Sequence, residues 1–364
     1  MIRAAVSRAF GEPLSIEDVT LAAPGPGEVR VRLQASAICH SDIAYMDGLW
    51  GGDLPAVWGH EAAGIVAEVG AGVEIAAGTP VVVTLIRSCG DCRYCRRGQY
   101  VACDATFDLD QRSPLTDATG RRVTHGLRTA AFAEQVVVHH SQLVPVPEEL
   151  PLDVASLLGC GVITGVGAVR NTAAVEAGSS VIVVGCGGVG VNVIQGARLA
   201  GADPIVAVDV EPRKLDTALS LGATHGLNPA EHDVVVGIAE ATEGHMADYV
   251  FVAVGARTAI EAAAGYVGTA GALVIVGMPA TGVMSEIDPG TLAARNQRIL
   301  GSKMGTAAIQ IDVPHLAGLY AEGALELDRL ITARYRLDDI NEAIADVKAG
   351  RALRNVIVFE DPSA

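Results

Sequence analysis

Lysine is almost missing from this chain: Lys214, Lys303 and Lys348 are the only three in 364 residues. Arginine carries the rest of the positive charge, and 26 basic against 42 acidic side chains leave a net charge of −16. That balance excludes a duplex nucleic-acid binder, whose phosphate contacts need clustered Lys and Arg. The densest basic stretches, Arg93-Tyr94-Cys95-Arg96-Arg97 and Arg121-Arg122, are too short to line a nucleic-acid groove. Long hydrophobic runs are missing too. Half of the residues are apolar and the mean hydropathy is +0.36. Yet the most apolar stretches, Val181 to Ile194 and Ala270 to Met278, are broken by glycines and fall short of the ~20 residues a membrane helix needs. Met1-Ile2-Arg3-Ala4-Ala5-Val6 lacks the charged start and apolar core of a signal peptide. The expectation is a soluble cytoplasmic protein with no membrane and no nucleic-acid partner. The length predicts two domains, and the apolar content supplies two cores, which excludes wholesale disorder.

The seven cysteines are Cys39, Cys89, Cys92, Cys95, Cys103, Cys160 and Cys186. An odd number without a secretory leader speaks against a disulfide framework and for metal or catalytic roles. Four of them form Cys89-x2-Cys92-x2-Cys95-x7-Cys103 in a loop rich in Gly, Arg and Asp. Four thiolates so closely spaced can surround one ion tetrahedrally, which suits a structural Zn²⁺; an iron–sulfur cluster is the competing reading. Cys39, Cys160 and His60 would make a Cys2His set with one open position, the pattern of a catalytic zinc. These three lie far apart in the chain, and spacing alone cannot assemble them.

The middle of the chain carries a nucleotide fingerprint. Val181-Ile182-Val183-Val184 enters Gly185-x-Gly187-Gly188-Val189-Gly190, a helix-forming segment follows, and Ile205 to Val208 then ends at Asp209. The first glycine makes the tight turn, the second admits the pyrophosphate, and the third packs helix on strand. Unpaired N–H groups at the helix start favour the phosphates. Asp209 would accept from the adenosine ribose and repel a 2′-phosphate, so NAD is favoured over NADP. Apolar runs at Tyr249 to Val254 and Ala272 to Val276 extend the parallel sheet. Cys186, inside the glycine loop, reads as packing. Residues 1–155 instead show short Val-rich strands between Pro and Gly turns, which suits an antiparallel, barrel-like domain. The last strand, Asn355 to Phe359, is placed to pair back with it.

Together these residues resemble the zinc-dependent medium-chain alcohol dehydrogenases, nearly end to end. The likeness rests on Cys39-His40-Ser41-Asp42, Gly59-His60-Glu61-x-x-Gly64 with Gly70, the four-cysteine lobe, Gly159-Cys160-Gly161-Val162-x-Thr164-Gly165 and the Gly185 loop, in the family's order. The resemblance implies an α/β and β fold: a GroES-like antiparallel β-barrel catalytic domain plus a Rossmann doubly wound parallel sheet. The expected boundaries are 1–160 with 303–364 returning to it, and 161–302 for the nucleotide domain. It implies two zinc ions per subunit, one catalytic on Cys39, His60 and Cys160 and one structural, together with NAD. Glu61 matches a carboxylate that approaches the catalytic metal, and Asp42 the group that orients the ligand histidine. Ser41 matches the hydroxyl that takes the alcohol proton. The relay histidine expected three residues later is Ala44, so the relay ends in water or on His40. His40 and Arg354 match contacts to the pyrophosphate, and Lys214 a contact to the adenosine ribose. Trp50, Leu85 and Phe132 fall where the family lines its alcohol site, which favours a primary, apolar or aromatic alcohol oxidised to the aldehyde. The competing readings are a thiol-adduct formaldehyde dehydrogenase, an enzyme whose NAD stays bound, and, remotely, a non-enzymatic zinc- and nucleotide-binding protein. The long segment between Cys103 and Phe132 suits a homodimer.

Overall fold

The computed structural model describes residues 1–359; the last five residues of the expected returning segment lie outside the described residues. The chain divides into one unit of Met1–Cys160 with the chain from Ala308 onward, and another of Gly161–Ala307.

The first unit is built from short strands in two sheets. A closed barrel runs β1 (Ile2–Ser7), β2 (Ser15–Leu21), β7 (Leu115–Thr116), β8 (Arg122–His125) and β4 (Ala56–Val57), which closes on β1. All its pairs are antiparallel except β4 with β8. A seven-stranded sheet runs β10 (Leu143–Pro145), β6 (Pro80–Thr84), β5 (Glu61–Val69), β3 (Glu28–Ala37), β18 (Arg354–Val358) and β17 (Ile331–Tyr335), with β9 (Gln135–His139) also on β3. β3 shows why these residues form a strand. Val29, Val31 and Leu33 alternate into the core while Arg30, Arg32 and Gln34 are less buried, the period of two that pleating imposes. β18 pairs with β3, Val356 opposite Ala37, so the end of the chain completes the sheet begun near its start. Its parallel neighbour β17 reaches it through the helix Ile340–Lys348, the crossover that a parallel pair requires. That helix buries Ile340, Ala343, Ile344 and Val347, one stripe at helical spacing.

The second unit holds an all-parallel six-stranded sheet, in the order β13 (His225–Leu227), β12 (Ile205–Val208), β11 (Val181–Val184), β14 (Ala247–Val252), β15 (Val267–Ile275) and β16 (Arg298–Gly301). The central strand is apolar on both faces because helices cover both. Val181 and Val183 pack into one cluster with Phe251, and Ile182 and Val184 into another with Val250 and Val252. The strand order reverses between β11 and β14, and the glycine loop leaves the carboxyl end of β11 at that point. This is where an open α/β sheet binds its ligand. Among the described residues no single helix is long and apolar enough to cross a membrane. Phe251 is fully buried at the centre of this sheet. Phe251→Ala is expected to cost about 3–5 kcal/mol, read as a lowered denaturation midpoint in a chemical unfolding titration.

Candidate metal centres and cofactor site

Three separate segments of the first unit converge on one buried point. Cys39 caps the start of the helix His40–Met46, His60 immediately precedes β5 and Glu61 opens it, and Cys160 ends the short helical stretch after Ser156. Pairing of β3 with β5 sets Ala37 opposite Glu61, which brings the first two segments together. Gly159 lets the third approach: a Cβ there would lie 2.9 Å from the Val83 carbonyl oxygen and 3.0 Å from the Glu61 Cα. The thiols of Cys39 and Cys160, an imidazole nitrogen of His60 and a carboxylate oxygen of Glu61 all lie within 4.8 Å of one another, and all four residues are buried.

Asp42 organises this quartet. One of its oxygens lies 2.8 Å from His60 Nδ1 and accepts from the Gly59 N–H at 3.0 Å; the other accepts from the Cys39 N–H at 3.0 Å. With Nδ1 committed to Asp42, Nε2 of His60 is buried with no hydrogen-bond partner among the described residues. Buried polar atoms are seldom left so, and a cation amid two thiols and a carboxylate satisfies it. The electrostatics agree. Burial opposes the His60 cation, yet Asp42 and Cys39 together raise it to about 10. The Cys39 thiol is held well below the ordinary range by the hydrogen bond from Cys160, against the effect of burial. Glu61, fully buried, is ion-paired with Arg354 at the start of β18, itself buried. The structure thus places Arg354 on the carboxylate beside the metal position.

The second cluster is local. Cys89, Cys92, Cys95 and Cys103 also bring their sulfurs within 4.8 Å of one another, with Cys92 and Cys103 3.9 Å apart. A tetrahedral zinc with bonds of about 2.3 Å sets its sulfurs about 3.8 Å apart. A multi-iron cluster spreads its cysteines wider, so the geometry fits a single ion. Each turn is fixed by an N–H···S bond: Cys92 N to Cys89 Sγ at 3.3 Å, Cys95 N to Cys92 Sγ at 3.5 Å and Cys89 N to Cys103 Sγ at 3.4 Å. Backbone N–H groups of Asp91 and Cys92 pull the Cys89 thiol down to about 7, while burial pushes Cys95 up to about 12. Loading this lobe must therefore expel protons.

In the second unit, Gly185, Gly187, Gly188, Val189 and Gly190 form the loop from β11 into the helix Gly190–Leu199. A Cβ on Gly190 would lie 1.8 Å from the Gly185 carbonyl oxygen, so only glycine lets the helix start so close to the strand. Asp209 is aimed by two backbone donors, Cys186 N at 2.7 Å and Glu211 N at 2.9 Å. Lys214 is partly buried in the first turn of the helix Pro212–Ser220. Burial above all, together with Asp209, drives the Cys186 thiol far up, which leaves it unreactive.

The other sequence candidates fall around the quartet. Ser41 is half-buried and His40 exposed in the first turn of the helix that Cys39 caps. Leu85 is half-buried after β6, and Phe132 is fully buried in the same cluster as Trp58. Trp50 stands edge-on to Tyr45 with centroids 5.3 Å apart, and Tyr45 stacks on Trp58 at 5.2 Å. This three-ring ladder ties the glycine-flanked loop of Trp50 to the segment that presents His60. Tyr45 and Trp58 were not among the sequence candidates; the signals were Tyr45 one helical turn after Ser41 and Trp58 immediately before Gly59-His60.

Comparison with known proteins places these sites in context. Residues 25–148 match the family model "Alcohol dehydrogenase GroES-like domain", and residues 188–322 match "Zinc-binding dehydrogenase". The chain is 36% identical over 368 residues to an NDMA-dependent alcohol dehydrogenase of Amycolatopsis methanolica, with 98% of each covered. An alcohol dehydrogenase zinc-binding domain protein of Burkholderia ambifaria has a similar structure, with a TM-score of 0.94, 38% identity and 99% of each chain covered. Benzyl alcohol dehydrogenase of Acinetobacter calcoaceticus is similar with a TM-score of 0.92, 30% identity and 99% coverage of each chain.

Two substitutions separate the centres. Asp42→Ala is expected to weaken zinc at the quartet by about 10–100-fold while the lobe keeps its ion, read by zinc content during chelator titration. Gly190→Ala is expected to abolish NAD binding, read by calorimetry, with both zinc ions retained.

Proposed function

The chain belongs to the zinc-dependent medium-chain alcohol dehydrogenases and is an oxidoreductase of alcohols and aldehydes; we propose that its substrate is a primary alcohol with an apolar or aromatic body, oxidised to the aldehyde with NAD. The observation that carries this reading is the buried quartet of Cys39, His60, Glu61 and Cys160, with His60 Nε2 left without a hydrogen-bond partner among the described residues. Zinc bound there supplies the Lewis acid that makes alcohol deprotonation feasible near neutral pH, and NAD supplies the hydride acceptor.

The chain's own groups have distinct tasks in this proposal. Cys39, His60 and Cys160 hold the metal, and Asp42 fixes the tautomer in which His60 Nε2 is the ligand atom. Glu61 would be available to the metal as a further ligand, and its buried ion pair with Arg354 holds the carboxylate when it is not so engaged. Ser41 accepts the alcohol proton; with Ala44 at the place of the relay histidine, the proton passes onward to water or to His40. The glycine loop cradles the pyrophosphate, and Asp209, oriented by its two backbone donors, accepts from the ribose. Trp50 and Leu85 form the apolar wall, with Trp50 braced by Tyr45 and Trp58, while Phe132, which the family likeness placed on that wall, is fully buried in the core cluster of Trp58 and backs it from behind. The likeness to a benzyl alcohol dehydrogenase supports an aromatic substrate.

We also propose a homodimer formed through β16. This edge strand of the parallel sheet exposes Ile299, and the same unit exposes Met278, Val283 and Met284. A second copy pairing there would cover an edge that is otherwise a liability. Commitment of six of the seven cysteines to the two metal clusters favours the reducing cytoplasm.

NADH formation tests the proposal. The expected result is a kcat/KM for benzyl alcohol at least about ten-fold above that for ethanol, lost on chelation and restored by zinc. Equal rates would overturn the apolar wall. Absence of NADH from both alcohols, in folded protein holding two zinc ions, would overturn the substrate class.

A further inference from the structure

Arg87 heads the fully buried side chains by volume, with 1% of its surface exposed. Burying a guanidinium is expensive unless its charge and its donors are used, and nothing in the alcohol chemistry uses this one. Its position in the chain is informative. Arg87 lies two residues before Cys89, where the chain enters the lobe, and its guanidinium sits 4.6 Å over the ring of Phe107, four residues beyond Cys103, where the chain leaves it. Its Nη2 donates to Asp110 in the short helix Asp108–Arg112. The side chain therefore bridges the neck of the 89–103 loop.

The far side of this bridge is itself anchored. The second oxygen of Asp110 accepts from the Phe107 N–H at 3.0 Å, which fixes the carboxylate relative to the ring. Phe107 meets the ring of His139 edge-on at 4.8 Å, and His139 ends β9, a strand paired to β3. The neck is thus fastened to the large sheet. Nε and Nη1 of Arg87 have no hydrogen-bond partner among the described residues, so the cation has two buried donors beyond those that Asp110 engages.

We propose that Arg87 is the positioning residue of the lobe metal: it clasps the neck of the four-cysteine loop through Phe107 and Asp110 and supplies the buried positive charge that the metal-loaded thiolates require. Two physical effects combine. Holding the ends of the loop together removes part of the closure entropy that metal binding must otherwise supply. Four thiolates also outweigh the charge of one divalent ion, so the loaded lobe is net negative and a nearby cation stabilises it. Arg93, Arg96 and Arg97 cannot substitute, because they are exposed and screened by water.

The test uses the full-length protein loaded with both zinc ions. Zinc release into a chromogenic chelator is timed for the wild type, Arg87→Met, Arg87→Lys and Asp110→Asn, and alkylation of each cysteine is followed by peptide mass spectrometry. The expected result is about ten-fold faster loss of one zinc in Arg87→Met, with early labelling of Cys89, Cys92, Cys95 and Cys103 and none of Cys39 or Cys160. Arg87→Lys, which keeps charge without the planar fork, is expected to fall between, and Asp110→Asn to release faster than wild type. Unchanged release in Arg87→Met and Asp110→Asn overturns the clasp. So does simultaneous loss of both ions, which marks a general defect in folding. If Arg87→Met does not fold, Asp110→Asn decides alone. A wild-type protein holding only the quartet zinc would instead refute the zinc reading of the lobe, and with it the clasp.

Discussion

Crowding of ionisable groups at one dry point is the constraint around which the first unit is organised. Two thiols, an imidazole and a carboxylate lie within 4.8 Å of one another, all buried. The two thiolates and the carboxylate repel one another and each loses hydration, so the arrangement is costly unless a cation neutralises it. The protein answers with surrounding charges set in fixed order. Asp42 serves the imidazole and two backbone N–H groups at once, and Arg354 serves Glu61. Both helpers are buried, so water screens neither contact. Loss of either would leave an uncompensated charge inside the sheet.

That constraint explains several features of the architecture. Cys39, His60 and Cys160 come from segments separated by 21 and 100 residues in sequence, and only a sheet with long-range pairing gathers them. β3 pairs with β5, β5 with β6, and β18 returns from the end of the chain to deliver Arg354. The large sheet is thus as much a device for bringing charges together as a core. The four-cysteine lobe solves a similar problem with different means. Its ligands are close in sequence, its turns are set by N–H···S bonds, and its neck rather than its interior is tied to the sheet through Phe107 and His139.

The nucleotide unit was the most legible part of the sequence, because its determinants are local. The β-branched run at Val181 to Val184, the spaced glycines and Asp209 are each explained by neighbours within thirty residues. The structure adds how Asp209 is aimed, through the N–H of Cys186 and that of Glu211. In the first unit the pattern of short strands was readable, while the pairing was not. The parallel β4–β8 and β17–β18 contacts join segments whose sequences carry no mark of each other.

By itself the sequence determined the classes of chemistry available: a four-thiolate lobe from the spacing of Cys89 to Cys103, and a dinucleotide loop from Gly185 to Gly190. Both are legible because hydrogen bonding and chain geometry act over a few residues. The family resemblance named Cys39, His60 and Cys160 as partners; spacing could not. What only the tertiary structure decided is the company each charge keeps. That Arg354 pairs with Glu61, that Arg87 closes the neck of the lobe, and that Tyr45 and Trp58 brace Trp50 are facts of distance across the fold. Electrostatic and ring contacts depend on separation in space, and a linear pattern records separation only along the chain.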